Sequence, residues 1–180
     1  MPAPTAISDN GAARLRVFFA LTPDAATRER IRLRARDFDA GGRVVPAQNY
    51  HITLVFIGAV GPERLACLEQ AAARVAVQPF TLSLDRVAVF PRRALWFGCQ
   101  EMPDELRILQ RKLSSVLEQH CRYRPEDRPY VPHVTLQRKP RIVIGQSLEP
   151  AIAWRVDSFS LMRSDSTAAG PVYSEIARWS

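Results

Sequence analysis

The sequence predicts an α+β fold built on antiparallel sheet, arranged as two pseudo-symmetric lobes around a cleft. Strand-like and helix-like segments alternate irregularly, with several strands joined directly to the next, which favours antiparallel pairing. A short pattern, His-x-Thr-Leu, occurs twice inside apolar stretches, as Tyr50-His51-Ile52-Thr53-Leu54-Val55 and Pro132-His133-Val134-Thr135-Leu136-Gln137. The second copy follows the first by 82 residues (133 minus 51), as expected of a duplicated lobe. No low-complexity linker divides the chain, so residues 14–180 read as a single bilobal domain. Residues 1–13, rich in Pro and Ala, read as a flexible tail.

The elements follow in order. Leu15 to Leu21 is a compact apolar run and reads as a buried strand. Thr22-Pro23 resembles a helix start, with Thr22 at the cap and Pro23 in the first turn, and the helix runs to about Phe38 before Gly41-Gly42. Val44 to Pro46 leads into the first motif strand, Tyr50 to about Ile57. Gly61-Pro62 marks a turn into a helix from Glu63 to about Val77. Phe80 to Phe90 and Ala94 to Gly98 form a hairpin about Pro91-Arg92-Arg93. Pro103 opens a helix to about Cys121, with Leu106, Leu109, Leu113, Val116 and Leu117 on one stripe. The second motif strand spans about Tyr130 to Arg138. Two further strands are expected at Ala153 to Arg163 and Val172 to Trp179, joined by the loop Ser164 to Pro171.

Composition narrows the functional classes. The chain has 180 residues, 47% of them hydrophobic, and a net charge of +7. A domain this size buries roughly 70% of its unfolded surface and needs no staple. Of 25 basic residues only Lys112 and Lys139 are lysines. Arginine's planar fork suits phosphate, and a basic surface concentrates polyanions such as RNA. Cys67, Cys99 and Cys121 are widely spaced with no CxxC pattern, which argues against a disulfide framework or zinc site and for a reducing compartment. No run approaches the roughly 18 apolar residues of a membrane span. The start lacks the regions of a signal peptide. A cytoplasmic protein with no membrane partner is expected.

The repeated motif carries the chemistry. Strand side chains alternate faces, so His51 and Thr53 share one face, as do His133 and Thr135. Only three histidines occur, and two of them sit in this pattern. Two imidazoles and two hydroxyls around one cleft can hold a phosphate and move protons to and from it. No carboxylate or Cys shares the His faces, which makes a poor metal-ligand set. His120, at a helix end, reads as a capping or surface residue. Tyr130 and Phe18 read as cleft-wall or core residues able to stack on a base. Arg92 and Arg93 read as solvated turn residues. P-loop, GxGxxG and GxSxG patterns are absent.

These residues resemble the 2H phosphoesterase superfamily, specifically the LigT-like RNA 2′,3′-cyclic phosphodiesterases, also called 2′-5′ RNA ligases. The paired motifs match its signature. Arg16-Val17-Phe18-Phe19-Ala20 resembles its opening strand, Ala94-Leu95-Trp96-Phe97-Gly98 its hairpin strand, and Gly170-Pro171-Val172-Tyr173 its closing strand. Val44 stands near where relatives often carry Trp. The resemblance implies two lobes, each an antiparallel sheet backed by helices, with the motifs facing across a groove. It implies metal-independent hydrolysis of 2′,3′-cyclic phosphate ends of RNA to a 2′-phosphate, reversible as ATP-independent 2′-5′ ligation. By that analogy His51 is the proton donor, His133 the proton acceptor, and Thr53, Thr135 and Arg138 bind phosphate. The motifs are near-identical, so the residues themselves do not order the two roles. Strict alternation puts Arg138 on the face opposite His133, so its role requires the strand to end or twist after Gln137. Other readings are a phosphodiesterase acting on ADP-ribose cyclic phosphate or 2′-5′ oligonucleotides, and an RNA-binding protein with incidental hydrolysis. A monomer without cofactor or metal is expected.

Overall fold

The computed structural model describes residues 14–168 and 170–180; the tail expected at 1–13 lies outside the described residues. Nine strands and three helices follow the order β1 (Leu15–Leu21), α1 (Ala25–Ala35), β2 (Arg43–Val44), β3 (Ile52–Val60), α2 (Pro62–Ala72), β4 (Phe80–Phe90), β5 (Ala94–Gly98), α3 (Asp104–Cys121), β6 (His133–Arg138), β7 (Gly145–Val156), β8 (Phe159–Thr167) and β9 (Gly170–Trp179). A 3₁₀ turn at Ala47–Asn49 precedes β3. Strand order is β7-β4-β5-β6-β3-β1-β8-β9, with β2 on β6, and every pairing is antiparallel.

This sheet is two four-stranded halves joined at their centre. β3 and β6 meet through the bridge Ile52↔Val134. The halves β7-β4-β5-β6 and β3-β1-β8-β9 are the two expected lobes, fused edge to edge. The helices attach crosswise. α1 follows β1 in sequence but lies against β7 of the other half, where Arg30 and Arg34 donate to the carbonyls of Ala153 (2.6 Å) and Glu149 (2.8 Å). α2 and α3 pack on each other, and Gln110 of α3 reaches the Leu54 carbonyl of β3 at 3.5 Å.

The main core lies between the sheet and the helices. α3 contributes Leu106, Leu109, Leu113, Leu117 and Cys121, all buried. That spacing is one helical face, and it is the expected stripe with Cys121 in place of Val116. On the cleft side, two small apolar clusters sit apart from the main core: Phe18, Ala20 and Met162 in one half, Ala88, Ala94 and Trp96 in the other.

Three expectations are corrected. The first helix begins at Ala25, and its cap is Asp24, whose carboxylate accepts from the Thr27 amide at 2.6 Å. Asp outranks Thr as a cap. The strand expected at 153–163 is two strands, β7 and β8, with Asp157-Ser158 between them. β7 starts at Gly145, in a stretch to which the sequence reading assigns no element. It is an edge strand, where Pro150 is tolerated. Finally, Cys67 and Cys121 form a disulfide between α2 and α3, their Cα atoms 5.8 Å apart. Cys99 remains a free thiol. The two cysteines are 54 residues apart, and only the packing of α2 on α3 brings them together. The cysteine argument for a reducing compartment therefore lapses. Among the described residues no helix is long and apolar enough to cross a membrane.

Candidate active site

The bridge between the half-sheets fixes the site. With Ile52 opposite Val134, antiparallel pairing places His51 across from Thr135 and Thr53 across from His133. All four have odd numbers in adjoining strands and share the cleft face. The arrangement is two-fold in character: each histidine has its own threonine two residues along and the other's threonine across the joint.

The imidazoles are held alike. His51 Nδ1 donates to the Asn49 carbonyl at 2.7 Å, and His133 Nδ1 donates to the Val131 carbonyl at 2.7 Å. A carbonyl only accepts, so Nδ1 carries the hydrogen and Nε2 of each neutral ring keeps the free lone pair. His51 Nε2 lies 3.2 Å from the Thr53 hydroxyl. Aromatic rings brace both histidines. Phe18 and Tyr173 contact His51 at centroid distances of 4.9 and 5.1 Å; Phe90 and Trp96 contact His133 at 4.9 and 6.0 Å. These braces belong to the two cleft-side apolar clusters, so packing limits the rotation of each ring.

A β-bulge follows each motif threonine. Phe19 and Ala20 of β1 pair with Val55 and Thr53, leaving Leu54 as the extra residue. Leu95 and Trp96 of β5 pair with Gln137 and Thr135, leaving Leu136 as the extra residue. The bulge inverts alternation downstream. Leu54-Val55 and Leu136-Gln137 are accordingly consecutive buried pairs. Past the second bulge Arg138 points toward the cleft, where its guanidinium donates to the Tyr173 hydroxyl at 3.4 Å. The bulge is the twist that the sequence reading required of Arg138. The equivalent position in the first motif is Phe56, over which Arg16 lies at 5.5 Å.

Both histidines favour their neutral form. Burial lowers the His51 pKa to about 4; the Asn49 carbonyl opposes this, while His133 and Arg138 add to it. Burial likewise lowers His133, opposed by the Val131 carbonyl and assisted by Arg128 and Arg138. A cationic, partly desolvated cleft of this kind attracts an anion, which would in turn favour protonation.

A cavity of about 620 Å³ extends from His51 between the β1–α1 turn, the 3₁₀ turn, the β7–β8 turn and β9. His51, Tyr173, Met162 and Glu175 line it, and His133 stands outside it. This cavity thus opens beside one histidine of the pair. Among the described residues no group of three His, Cys, Asp or Glu could hold a metal ion.

The cleft therefore gathers His51, His133, Thr53, Thr135 and Arg138. Sequence reasoning missed Asn49, Tyr173, Phe90 and Trp96, which position these groups. Asn49 acts twice, through its carbonyl to His51 and through its side-chain amide to the Pro171 carbonyl at 2.7 Å. Its place two residues before a motif histidine is the only signal it left. Phe18 is buried and braces a histidine, and Tyr130 is half-buried with its hydroxyl buried and without a partner among the described residues. Arg92 and Arg93 are exposed on the β4–β5 turn. His120 ends α3, and Arg74 donates to its Nε2 at 3.0 Å.

Comparison with known proteins gives the family. Residues 22–168 match the family model of the 2′-5′ RNA ligase superfamily. An RNA 2′,3′-cyclic phosphodiesterase of Archaeoglobus fulgidus is 32% identical over 175 residues, covering 90% of this chain and 98% of the relative. The Escherichia coli protein of the same name is 33% identical over 169 residues, covering 91% and 95%. The crystal structure of Escherichia coli LigT complexed with 3′-AMP superposes with a TM-score of 0.83 at 32% identity, covering 92% of this chain and 97% of the other.

Proposed function

The chain belongs to the 2′-5′ RNA ligase superfamily, and from that premise we propose that it hydrolyses the 2′,3′-cyclic phosphate ends of RNA to 2′-phosphates. The observation that carries this is the pair of imidazoles, each anchored through Nδ1 to a backbone carbonyl, on a face shared with two threonine hydroxyls. One ring takes a proton from water as it attacks phosphorus. The other gives a proton to the departing ribose oxygen. Each transfer contributes about 10²–10⁴-fold.

We assign His133 as the base and His51 as the acid, with the 3′ oxygen leaving. Thr53 and Thr135 donate to the non-bridging oxygens as charge develops on them. Arg138, anchored on Tyr173, supplies a charged donor to the same oxygens. Substrate raises the His51 pKa, because a phosphate anion beside the ring offsets the burial that depresses it. Every step is a proton transfer or a hydrogen bond from these side chains, so the scheme needs no metal. By microscopic reversibility the same groups join a 5′-hydroxyl to a cyclic phosphate in a 2′-5′ bond without ATP. Residues 14–180 act as one catalytic unit, since all these groups come from that span, and the reading takes the protein as a monomer.

The test is consumption of an RNA-terminal 2′,3′-cyclic phosphate followed by phosphorus NMR. Wild type is expected to consume it, and His51→Ala and His133→Ala to lose orders of magnitude in rate while keeping their far-UV circular dichroism. Near-wild-type rates in either variant would sink the two-histidine scheme.

A further inference from the structure

One cavity of the cleft distinguishes its two histidines. The cavity is bounded by His51 and Tyr173, and His133 lies outside it. In the hydrolysis proposed above, on which this inference rests, the leaving oxygen remains part of the ribose. The nucleoside therefore stays on the side of the general acid, and water enters from the side of the base. A cavity beside His51 is where that nucleoside has room.

Its wall contains a carboxylate, Glu175, that neighbouring donors hold through one oxygen while the other accepts from none of them. Glu175 follows Tyr173 by two residues on β9, on the same face and about 7 Å further along the strand. Its Oε2 accepts from the Ser160 hydroxyl at 2.7 Å and from Arg178 Nη2 at 2.7 Å and Nε at 3.1 Å. None of these donors reaches Oε1. The other acidic side chains of the cavity are bound only within their own turns, Asp24 through Oδ1 as the cap of α1 and Asp157 through Oδ1 to the Ser158 hydroxyl at 3.1 Å. Glu175 is held from β8 as well as from its own strand and shares the face of Tyr173. Arg178 keeps Glu175 ionised, and with Ser160 it holds the carboxylate in place.

We propose that Glu175 is a specificity-determining residue for the terminal base, favouring a base that carries an exocyclic amino group. An ionised carboxylate only accepts, and it pairs with the amino group of cytosine. Uracil presents carbonyl oxygens on both sides of its one N–H, and their lone pairs repel the carboxylate. Cytosine and uracil have the same size, so they isolate this difference.

The experiment compares cytidine and uridine 2′,3′-cyclic phosphates as substrates, and the corresponding 2′-phosphates as ligands by calorimetry, with wild type, Glu175→Gln and Glu175→Ala. Wild type is expected to favour cytidine about tenfold in both kcat/KM and affinity, the scale of one charge-assisted hydrogen bond. Both variants are expected to bring the ratio near unity, and Gln, which can donate to a uracil carbonyl, to bring it lower than Ala does. Equal handling of both bases by wild type, or a ratio unchanged in the variants, overturns this inference alone. A tenfold affinity ratio without turnover supports the subsite and overturns the hydrolase reading. Absence of both binding and turnover overturns both.

Discussion

Ile52 pairs with Val134, and through that bridge the two half-sheets join between their motif histidines. Neither lobe alone contains the site. The pairing sets His51 opposite Thr135 and His133 opposite Thr53, so the joint between the lobes is also the floor of the cleft. Its two residues are fully buried and apolar. This gives the four polar groups above them a fixed base in the core.

Arg138 should govern the binding of the phosphate. Its reach into the cleft depends on the bulge at Leu136, and its guanidinium donates to the Tyr173 hydroxyl. Arg138→Ala is expected to lower kcat/KM about tenfold to a hundredfold, the scale of a charged hydrogen bond. Arg138→Lys should recover part of this by keeping the charge without the fork. Unchanged kinetics in the Ala variant would remove Arg138 from the site.

His51 should titrate near pH 4 in the free protein and higher with phosphate bound. Its folded pKa lies below the ordinary value near 6.5 because burial disfavours the cation. The unfolded chain thus binds the extra proton more readily. The stability His51 contributes is present above about pH 6.5 and is lost as pH falls toward 4. Histidine chemical shifts across pH, with and without inorganic phosphate, check both parts. A midpoint near 6.5 that phosphate does not move would contradict the electrostatic account.

Gly98 should be irreplaceable beside His133, with which it pairs. A Cβ there would lie 2.7 Å from the Trp96 ring and 2.8 Å from the Pro132 carbonyl. Trp96 braces His133, and Pro132 precedes it. Gly98→Ala is therefore expected to cost about 1–3 kcal/mol of stability, by overpacking. It should also lower kcat more than it raises KM. Urea denaturation and steady-state kinetics read the two effects, and a neutral variant would show the packing to be looser than described.

The Cys67–Cys121 disulfide should stabilise the pair α2–α3. Closing a span of 54 residues restrains the unfolded chain by about 4 kcal/mol in the loop-entropy model. Reduction, or the double substitution Cys67→Ser and Cys121→Ser, is expected to lower Tm by several degrees. Activity at 25 °C should persist, since neither cysteine borders the cleft. A Tm insensitive to reductant would mean that the bridge does not contribute.

Much of this was legible in the sequence because it is local. Apolar runs locate β1, β4 and β5, and the leucine stripe locates α3. The repeated His-x-Thr names the residues that the cleft gathers. What stayed hidden is set by pairing. Leu54 and Leu136 are ordinary strand residues until their partner strands fix the register, and only then do they become bulges. The first half of β7 was not legible because its Gly and Pro, permitted at a sheet edge, give no strand signal. The disulfide depends on two helices lying side by side. Asn49, Tyr173, Phe90 and Trp96 belong to elements remote in sequence from at least one group they position.

The most direct measurement is the identity of the product formed from a short RNA ending in 2′,3′-cyclic phosphate, in EDTA, by wild type, His51→Ala and His133→Ala. A 2′-phosphate formed by wild type and by neither variant is the predicted result. A 3′-phosphate would reverse the leaving group and with it the assigned proton donor. Turnover that EDTA abolishes, or that survives loss of either histidine, would contradict the two-histidine mechanism itself.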